Sequence, residues 1–200
     1  MTRRAMRQHG LAALEFAIVL PLLLLIFMFT FDFASAINAQ LVLSHLSREG
    51  ATLAARSAFA PAQQILGSLA ASASPLDLAQ QGTLQLTRVV GINDGTGVRA
   101  VALEQTRWSG GLPPADSDPS IWRCGEGGLG PWDSNGRCAA ALNADPGART
   151  AAFDEALTEG QTIYVLEASY RFKAAFGLID LSPNLRVPGL TSQLLAVSAL

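Results

Sequence analysis

Residues 11–31, LAALEFAIVLPLLLLIFMFTF, form an apolar run with Glu15 as its only charged residue, and they are the strongest structural signal in the sequence. A helix rises about 1.5 Å per residue, so about twenty residues cover about 30 Å, the hydrocarbon thickness of a bilayer. Three arginines precede the run, and Asp32 follows it. By the positive-inside bias, the sequence predicts one membrane pass with a cytoplasmic head and an exported remainder.

Glu15 requires a physical reason, because a carboxylate at the centre of a spanning helix costs about 2.5 to 3.5 kcal/mol. The penalty is smaller near an interface, and Glu15 lies about one turn from the start of the run. Two interpretations follow from these residues alone. Glu15 either reaches headgroup water beside the arginines or pairs with a cation inside an assembly.

Two other targeting signals can be read in the same region. Ala34-Ser35-Ala36 has the small-x-small form of a secretory cleavage site, but secretory apolar regions span about 7 to 15 residues and contain no acid. Arg3-Arg4 resembles a twin-arginine pair, yet Ala5-Met6-Arg7 lacks the usual Phe-Leu-Lys after it. Both comparisons favour a retained anchor behind a basic head.

The same helix is predicted to continue beyond the membrane to about Ala60. Alanines favour helix there, and an imperfect apolar stripe follows the helical period: Ile37, Leu41, Leu46, Leu53 and Phe59. Pro61 supplies a stop, because the residue before proline disfavours α geometry. The helix from Leu11 would be about 75 Å long, with a kink expected at Pro21.

Residues 61–200 are long enough for one modest core and are predicted to form one α+β domain. A second helix is expected over Pro61 to Ala73. An Asn93-Asp94-Gly95 turn predicts a hairpin between two strands. The predicted elements of this part are strands Thr83 to Ile92 and Gly97 to Thr106, an irregular Gly/Pro-rich stretch Ser109 to Gly147, a helix Arg149 to Leu157, a strand Gln161 to Lys173 and a last strand Leu190 to Leu200.

The irregular stretch holds both cysteines, Cys124 and Cys138. In an exported, oxidising compartment, a disulfide between them is the expected state. Its loop of about fifteen residues corresponds to about 3 kcal/mol of stabilisation in the chain-entropy model. We expect Trp108, Trp122 and Trp132 to form a small core under this staple, with an exposed contact surface as the alternative.

Histidine placement argues against several catalytic and metal functions. The two histidines are His9 and His45, so the domain beyond them lacks a base for Ser/His or Cys/His catalysis and a usual zinc ligand. Acids are numerous enough for a glycosidase pair, but no spacing singles one out. We therefore predict no enzyme, no metal and no cofactor.

The sequence contains no motif for binding calcium, phosphate or nucleic acid. Asp116-Ser117-Asp118 and Asp133-Ser134-Asn135-Gly136 lack the alternating ligands and terminal glutamate of a calcium loop. No glycine loop carries the Lys-Ser/Thr that a phosphate site needs. The 14 basic residues include three in the head, so the 16 acids outnumber the basic residues beyond it. The sequence therefore predicts no nucleic-acid partner.

Residues 9–16 read HGLAALEF, a glycine followed by four uncharged residues, a glutamate and an aromatic. This segment resembles the class III signal of type IV pilins and pseudopilins, which a prepilin peptidase cuts after the glycine on the cytoplasmic side. The resemblance implies processing between Gly10 and Leu11. Glycine suits that site because extended backbone enters a protease cleft without side-chain obstruction. In the family, the glutamate pairs with the freed α-amino group of a neighbouring subunit, and Glu15 holds that position.

The continuation is more specific. EFAIVLPLLLL over residues 15–25, followed by Ser47-Arg48-Glu49-Gly50-Ala51, resembles the TadE/TadG-like family of tight-adherence pilus systems. Ser47 stands where alanine is usual, and Thr52 where arginine often follows. A weaker similarity covers residues 160–172, GQTIYVLEASYRF, which resembles a G-x-x-I-x-V-x-V-x-Y-x-F strand of the family.

The resemblance implies a bacterial inner-membrane protein with a cytoplasmic N-terminus and a periplasmic C-terminal domain. Its fold class would be α+β, with a long membrane-spanning helix before a small β-containing domain and a disulfide-stapled loop. The predicted parts are a leader over residues 1–10, the transmembrane and extended helix over 11–60, and the periplasmic domain over 61–200. The implied partners are a prepilin peptidase, other Tad pilins or pseudopilins, inner-membrane assembly proteins and the membrane.

Two functions remain open. The first is a minor pilin or pseudopilin of a Tad (Flp) type IV pilus system, processed after Gly10. The second is an unprocessed membrane-anchored ectodomain with a role in assembly or adhesion, or in hydrolysis as the least favoured form. The larger TadG-like relatives make an unprocessed assembly role credible.

Overall fold

The computed structural model describes residues 5–57, 60–93, 95, 97–112, 120–122, 132–133, 135–138, 148–149, 153, 157–176 and 193–199, with side chains throughout except at 5–12, 148–149 and 193–199. The chain divides into two compact units. The first comprises Met1–Asn38 and Lys173–Ser192, and the second comprises Ala39–Phe172 and Gln193–Leu200. The predicted divisions after residues 10 and 60 concern processing and topology, and they stay predictions.

Helix α1 spans Ala5–Arg56, 52 residues in all, so the long N-terminal helix is confirmed. It begins six residues before the predicted start at Leu11, and it ends before Ala60. Pro21 lies inside the helix, and the expected kink there stays a prediction. A spanning helix tolerates such a proline because neighbouring groups can satisfy the freed carbonyl.

The predicted apolar stripe of α1 is partly wrong. Ile37 is 46% exposed and Leu41 is 53% exposed, and Phe59 lies outside the described residues. The buried side of the helix in the second unit consists mainly of small residues with two leucines: Ala39, Leu43, Leu46, Ser47, Gly50, Ala51 and Ala54. A face of small residues lets the helix backbone approach the sheet closely, so the packing side follows side-chain size as well as hydrophobicity.

Two shorter helices follow. Helix α2 covers Ala62–Ser72 with Pro61 at its N-cap, which confirms the second predicted helix. Helix α3 covers Leu78–Gln81 and was not predicted. Asp77 caps α3, since its carboxylate accepts the Gln80 backbone N–H at 3.1 Å.

Within the described ranges, five strands form one antiparallel sheet: β1 Gly82–Asn93, β2 Val98–Arg107, β3 Ala148–Arg149, β4 Thr162–Arg171 and β5 Gln193–Ala199. Their order is β3-β2-β1-β4-β5. The predicted hairpin is confirmed, with the Asn93 side chain accepting the Gly95 N–H at 3.0 Å. Gly95 has φ +88°, a conformation that L side chains rarely adopt.

The predicted helix from Arg149 to Leu157 is wrong at both ends. Arg149 belongs to β3 and pairs with Val101 on β2, and Leu157 is not helical. Among the residues between them, Phe153 alone is described, in a 3₁₀ conformation. Unpaired backbone groups at the edge of β2 favour strand pairing, and this tertiary contribution overrides the helix propensity of the local alanines.

Successive residues of a strand face opposite sides of the sheet, and each side has its own core. The first core cluster joins α1, α2 and α3 to the sheet and includes Leu43, Leu66, Leu84 and Leu166, all fully buried. The second core cluster lies on the other side and contains Val89, Ala100, Ala102, Trp122, Cys138, Leu157, Ile163 and Val165. The sheet is therefore covered on both sides.

Candidate functional site

The N-terminal part of α1 exposes an apolar surface. Side chains from Ala13 to Phe31 are exposed, except Met28, which is half-buried. The helix is long and apolar enough to cross a membrane, with a mean hydropathy of 2.5 in its most apolar window and none of that window buried. In water such a surface would be costly, because large contiguous apolar patches are rare on soluble monomers. The helix is therefore a candidate membrane anchor.

Glu15 is exposed on this helix. Residues three and four positions further on share its face, and these are Ile18 and Val19, both exposed and apolar. The ion pair between Arg88 and Glu104 does not involve Glu15. Among the described residues, the neighbours of Glu15 on its face of the helix are thus apolar.

Gly10 and Leu11 lie inside α1, five and six residues after its first residue. A helical turn contains about 3.6 residues, so Gly10 and Glu15 are separated by little more than one turn of α1. Processing at this bond stays a prediction.

The Arg48-Glu49-Gly50 motif divides between the surface and the core. Arg48 and Glu49 are exposed, whereas Gly50 is buried. A Cβ placed on Gly50 would overlap Leu166 Cδ2 and lie 2.6 Å from Leu69 Cδ1. Glycine at this position therefore allows α1 to pack closely against α2 and β4, and the two charged residues remain on the surface.

Asp32, which follows the apolar run directly, makes contacts that the sequence did not predict. It is fully buried, and its Oδ1 accepts backbone N–H groups from Ala175 at 2.9 Å and Phe176 at 3.2 Å. The Phe31 and Phe176 rings meet edge to face with centroids 5.6 Å apart. The carboxylate thus binds the segment after β4 to the end of the apolar run, within the first unit.

A second buried carboxylate, Glu167 at the centre of β4, binds part of the irregular stretch. Its Oε1 accepts the Ile121 N–H at 2.7 Å, and its Oε2 accepts the Ser120 hydroxyl at 2.8 Å. Gln105 donates to Ser120 Oγ and to Thr87 Oγ1, each at 3.1 Å. This network fixes the residues beside Trp122 to the sheet. No local sequence signal indicated it, because Ser120 and Glu167 are far apart in the chain.

The tryptophans form core contacts rather than an exposed surface. Trp122 is 2% exposed, and its ring stacks on Phe153 with centroids 6.0 Å apart. Trp132 packs against the second core cluster and Trp108 against the first. The preferred interpretation of these residues as core is confirmed, although they divide between two cores.

Cys138 lies in the second core cluster and is 1% exposed. Cys124 falls outside the described residues, so the predicted pairing with it stays a prediction. Within the described ranges there is no free cysteine. The same part of the chain holds no group of three or more His, Cys, Asp or Glu side chains arranged for a metal.

Tyr170 on β4 packs against the first core cluster. Burial raises the pKa of its hydroxyl above the ordinary 10.0, and a hydrogen bond to the Asp77 backbone opposes part of that shift. The hydroxyl therefore stays neutral at physiological pH. Its hydrogen bond to the Asp77 backbone joins β4 to the N-cap of α3.

A family model described as TadE-like protein matches residues 10–52. The match begins at Gly10 and includes Glu15, Asp32 and the Arg48-Glu49-Gly50 motif. No significant match was found among curated proteins or among solved structures. The predicted resemblance to TadE-like proteins, a family associated with Tad pili, is confirmed over these residues of α1.

Proposed function

We propose that this chain is a minor pilin or pseudopilin of a Tad type IV pilus assembly system, anchored in the bacterial inner membrane. The observation that carries the proposal is the family match over residues 10–52, which covers the exposed apolar part of α1 and its carboxylate. The function is structural: the helix inserts beside other subunits, and the α+β domain lies on the periplasmic side.

The proposal also includes a membrane topology and a cleavage of the N-terminus. The arginines at the N-terminus remain in the cytoplasm under the positive-inside rule, and residues after Asp32 are exported. A prepilin peptidase then cleaves between Gly10 and Leu11. Cleavage removes the arginines, so the mature chain begins with a free α-amino group at the edge of the apolar run.

That amino group is the cation proposed for Glu15. In the assembled state the Glu15 carboxylate of one subunit pairs with the Leu11 amino group of its neighbour. A charged pair inside hydrocarbon is favourable only when both members are present, because either charge alone keeps its desolvation cost. The pair therefore sets the axial register between subunits.

The exported domain is proposed to carry a disulfide between Cys124 and Cys138. Cys138 supports this, since it is buried in the second core cluster and its N–H donates to the Leu103 carbonyl of β2 at 3.3 Å. A cross-link from Cys124 to Cys138 would tie the region around Cys124 to that point on the sheet. Together with the bonds from Glu167 to Ser120 and Ile121, it would give that stretch two attachments. The domain then offers other Tad subunits a fixed surface.

The experiment replaces Glu15 with alanine in cells that carry the remaining Tad components. We expect Glu15→Ala to insert and accumulate at the normal level in the inner membrane while pili are lost, because the inter-subunit ion pair is missing. Glu159→Ala is the matched control, since Glu159 is an exposed acid on a turn of the second unit. Normal piliation with Glu15→Ala would show that the carboxylate is only a tolerated interfacial charge.

The unprocessed alternative predicts a different pattern. A membrane-anchored ectodomain that keeps its leader has no free Leu11 amino group, so Glu15→Ala would leave its assembly role intact. The Gly10→Ala variant also distinguishes the processed pilin from the unprocessed ectodomain. It would block the processing and the piliation of a processed pilin, and it would change neither for an unprocessed ectodomain.

A further inference from the structure

The segment after β4 returns to the membrane-proximal end of α1. Its backbone is held at Ala175 and Phe176 by the buried Asp32 carboxylate. The Phe176 ring lies against Phe31, the last residue of the apolar run, with ring centroids 5.6 Å apart. Two bonds and one aromatic contact therefore fix where Phe176 lies on the helix.

Phe176 is not covered by this arrangement. Its side chain remains 45% exposed, and that of Phe31 remains 48% exposed. Phe27, one helical turn before Phe31 on the same face, is 63% exposed. Phe27, Phe31 and Phe176 thus form a continuous apolar surface at the end of the run. Lys173, three residues before Phe176, is also exposed.

The depth of this aromatic surface in the bilayer follows from the proposed membrane span of α1. If residues 11–31 span the hydrocarbon core, Phe31 lies at its outer boundary, and Phe176 must lie at the same depth because the two rings touch. Aromatic side chains favour this zone, where an apolar ring meets hydrocarbon and the backbone meets headgroups. Lys173, an exposed residue earlier in the same segment, suits the phosphate groups of lipids.

We propose that Phe176 is a second membrane contact of this protein, inserted into the outer interface of the bilayer that α1 spans, with Lys173 facing lipid phosphates. The inference rests on the proposed membrane span and adds to it a lipid contact supplied by a residue far along the chain. Asp32 positions this contact by holding the Phe176 backbone.

Tryptophan substitution with brominated lipids tests the inference, because bromine quenches an indole that reaches the acyl chains. Three variants of the full-length protein are reconstituted in phosphatidylcholine and phosphatidylglycerol vesicles, with and without bromine near the headgroup end of the acyl chains. Phe176→Trp tests the proposed contact. Phe29→Trp reports the span itself, and Ile92→Trp reports an exposed site at the end of β1. The fluorescence of the parent protein is subtracted from each.

We expect brominated lipid to lower the added fluorescence of Phe176→Trp and Phe29→Trp by about twofold or more, and to leave that of Ile92→Trp unchanged. Quenching of Phe29→Trp without quenching of Phe176→Trp would overturn the inference and leave the membrane span intact. An unquenched Phe29→Trp would contradict the span and with it this contact. Unchanged circular dichroism of each variant establishes that the fold is retained.

Discussion

Gly50 of α1 packs directly against Leu166 of β4, so closely that a Cβ on Gly50 would overlap the Leu166 Cδ2 atom. Leu166 is fully buried, and Leu69 on α2 lies on the same side of Gly50. The glycine of the Arg48-Glu49-Gly50 motif is thus explained by packing within one chain. The adjoining Arg48 and Glu49 side chains are exposed.

Because Gly50 is tightly packed, Gly50→Ala and Gly67→Ala are predicted to differ in their effect on stability. Gly→Ala within a helix gains about 1 kcal/mol of propensity at either site. A Cβ added to Gly67 of α2 would have its nearest neighbour, Trp108 Nε1, at 4.0 Å, so Gly67→Ala should be neutral or stabilising. Gly50→Ala must displace two buried leucines, and overpacking costs about 1 to 3 kcal/mol.

We therefore expect Gly50→Ala to be less stable than Gly67→Ala by about 1 to 3 kcal/mol. Urea unfolding of the detergent-solubilised chain, followed by tryptophan fluorescence, measures the difference. Equal stability of the two variants would show that α1 does not approach β4 as closely as described.

Asp32 predicts local protection of two amides. Its carboxylate accepts the backbone N–H groups of Ala175 and Phe176, and hydrogen bonds to a charged group contribute about 1.5 to 3 kcal/mol each. Asp32→Ala should therefore speed hydrogen exchange at these two amides by about tenfold or more. Asp77→Ala, which removes the cap of α3, is the control and should leave both amides unchanged. Slow exchange in Asp32→Ala would contradict the described bonds.

Glu167 predicts a graded loss of stability. Glu167→Ala leaves the Ile121 N–H and the Ser120 hydroxyl without their acceptor, at about 1 to 3 kcal/mol for each buried group. Ser120→Ala removes one donor to Glu167 and the acceptor of Gln105 and of the Trp122 N–H. Glu167 keeps the bond from Ile121 and Gln105 keeps its bond to Thr87, so the cost should be about 1 to 2 kcal/mol. Unfolding midpoints in urea should fall in the order parent, Ser120→Ala, Glu167→Ala. The reverse order of the two variants would refute the role of Glu167 as the main attachment.

Cys124 and Cys138 are predicted to be oxidised to a disulfide. If Cys124 and Cys138 are paired as proposed, the protein extracted from membranes should resist thiol alkylation under denaturing conditions and accept two labels after reduction. Two labels without reduction would exclude the disulfide. The Cys138→Ser variant should lose about 3 kcal/mol if the chain-entropy estimate holds, and it should also disturb the second core cluster.

Local patterns predicted the elements whose signals are local. The apolar run gave the long helix, alternation and the Asn93-Asp94-Gly95 turn gave the β1-β2 hairpin, and Pro61 marked the start of α2. The strand β3 was missed because its conformation depends on pairing with β2, not on its own residues.

The site contacts were harder to predict because their partners are distant in sequence. Asp32 looks like an ordinary helix-flanking acid until Ala175 and Phe176 are placed beside it. Gly50 resembles a flexible position until Leu166 and Leu69 are in place. Glu15 is the opposite case, since its environment is visible in the sequence while its proposed partner belongs to another subunit.

The proposed function requires a processed subunit whose Leu11 amino group pairs with Glu15 of a neighbour. The most direct test is the intact mass and N-terminal sequence of the protein extracted from membranes of cells with an active prepilin peptidase. The account predicts a chain that begins at Leu11, ten residues shorter than the precursor. A chain that still begins at Met1 would contradict it.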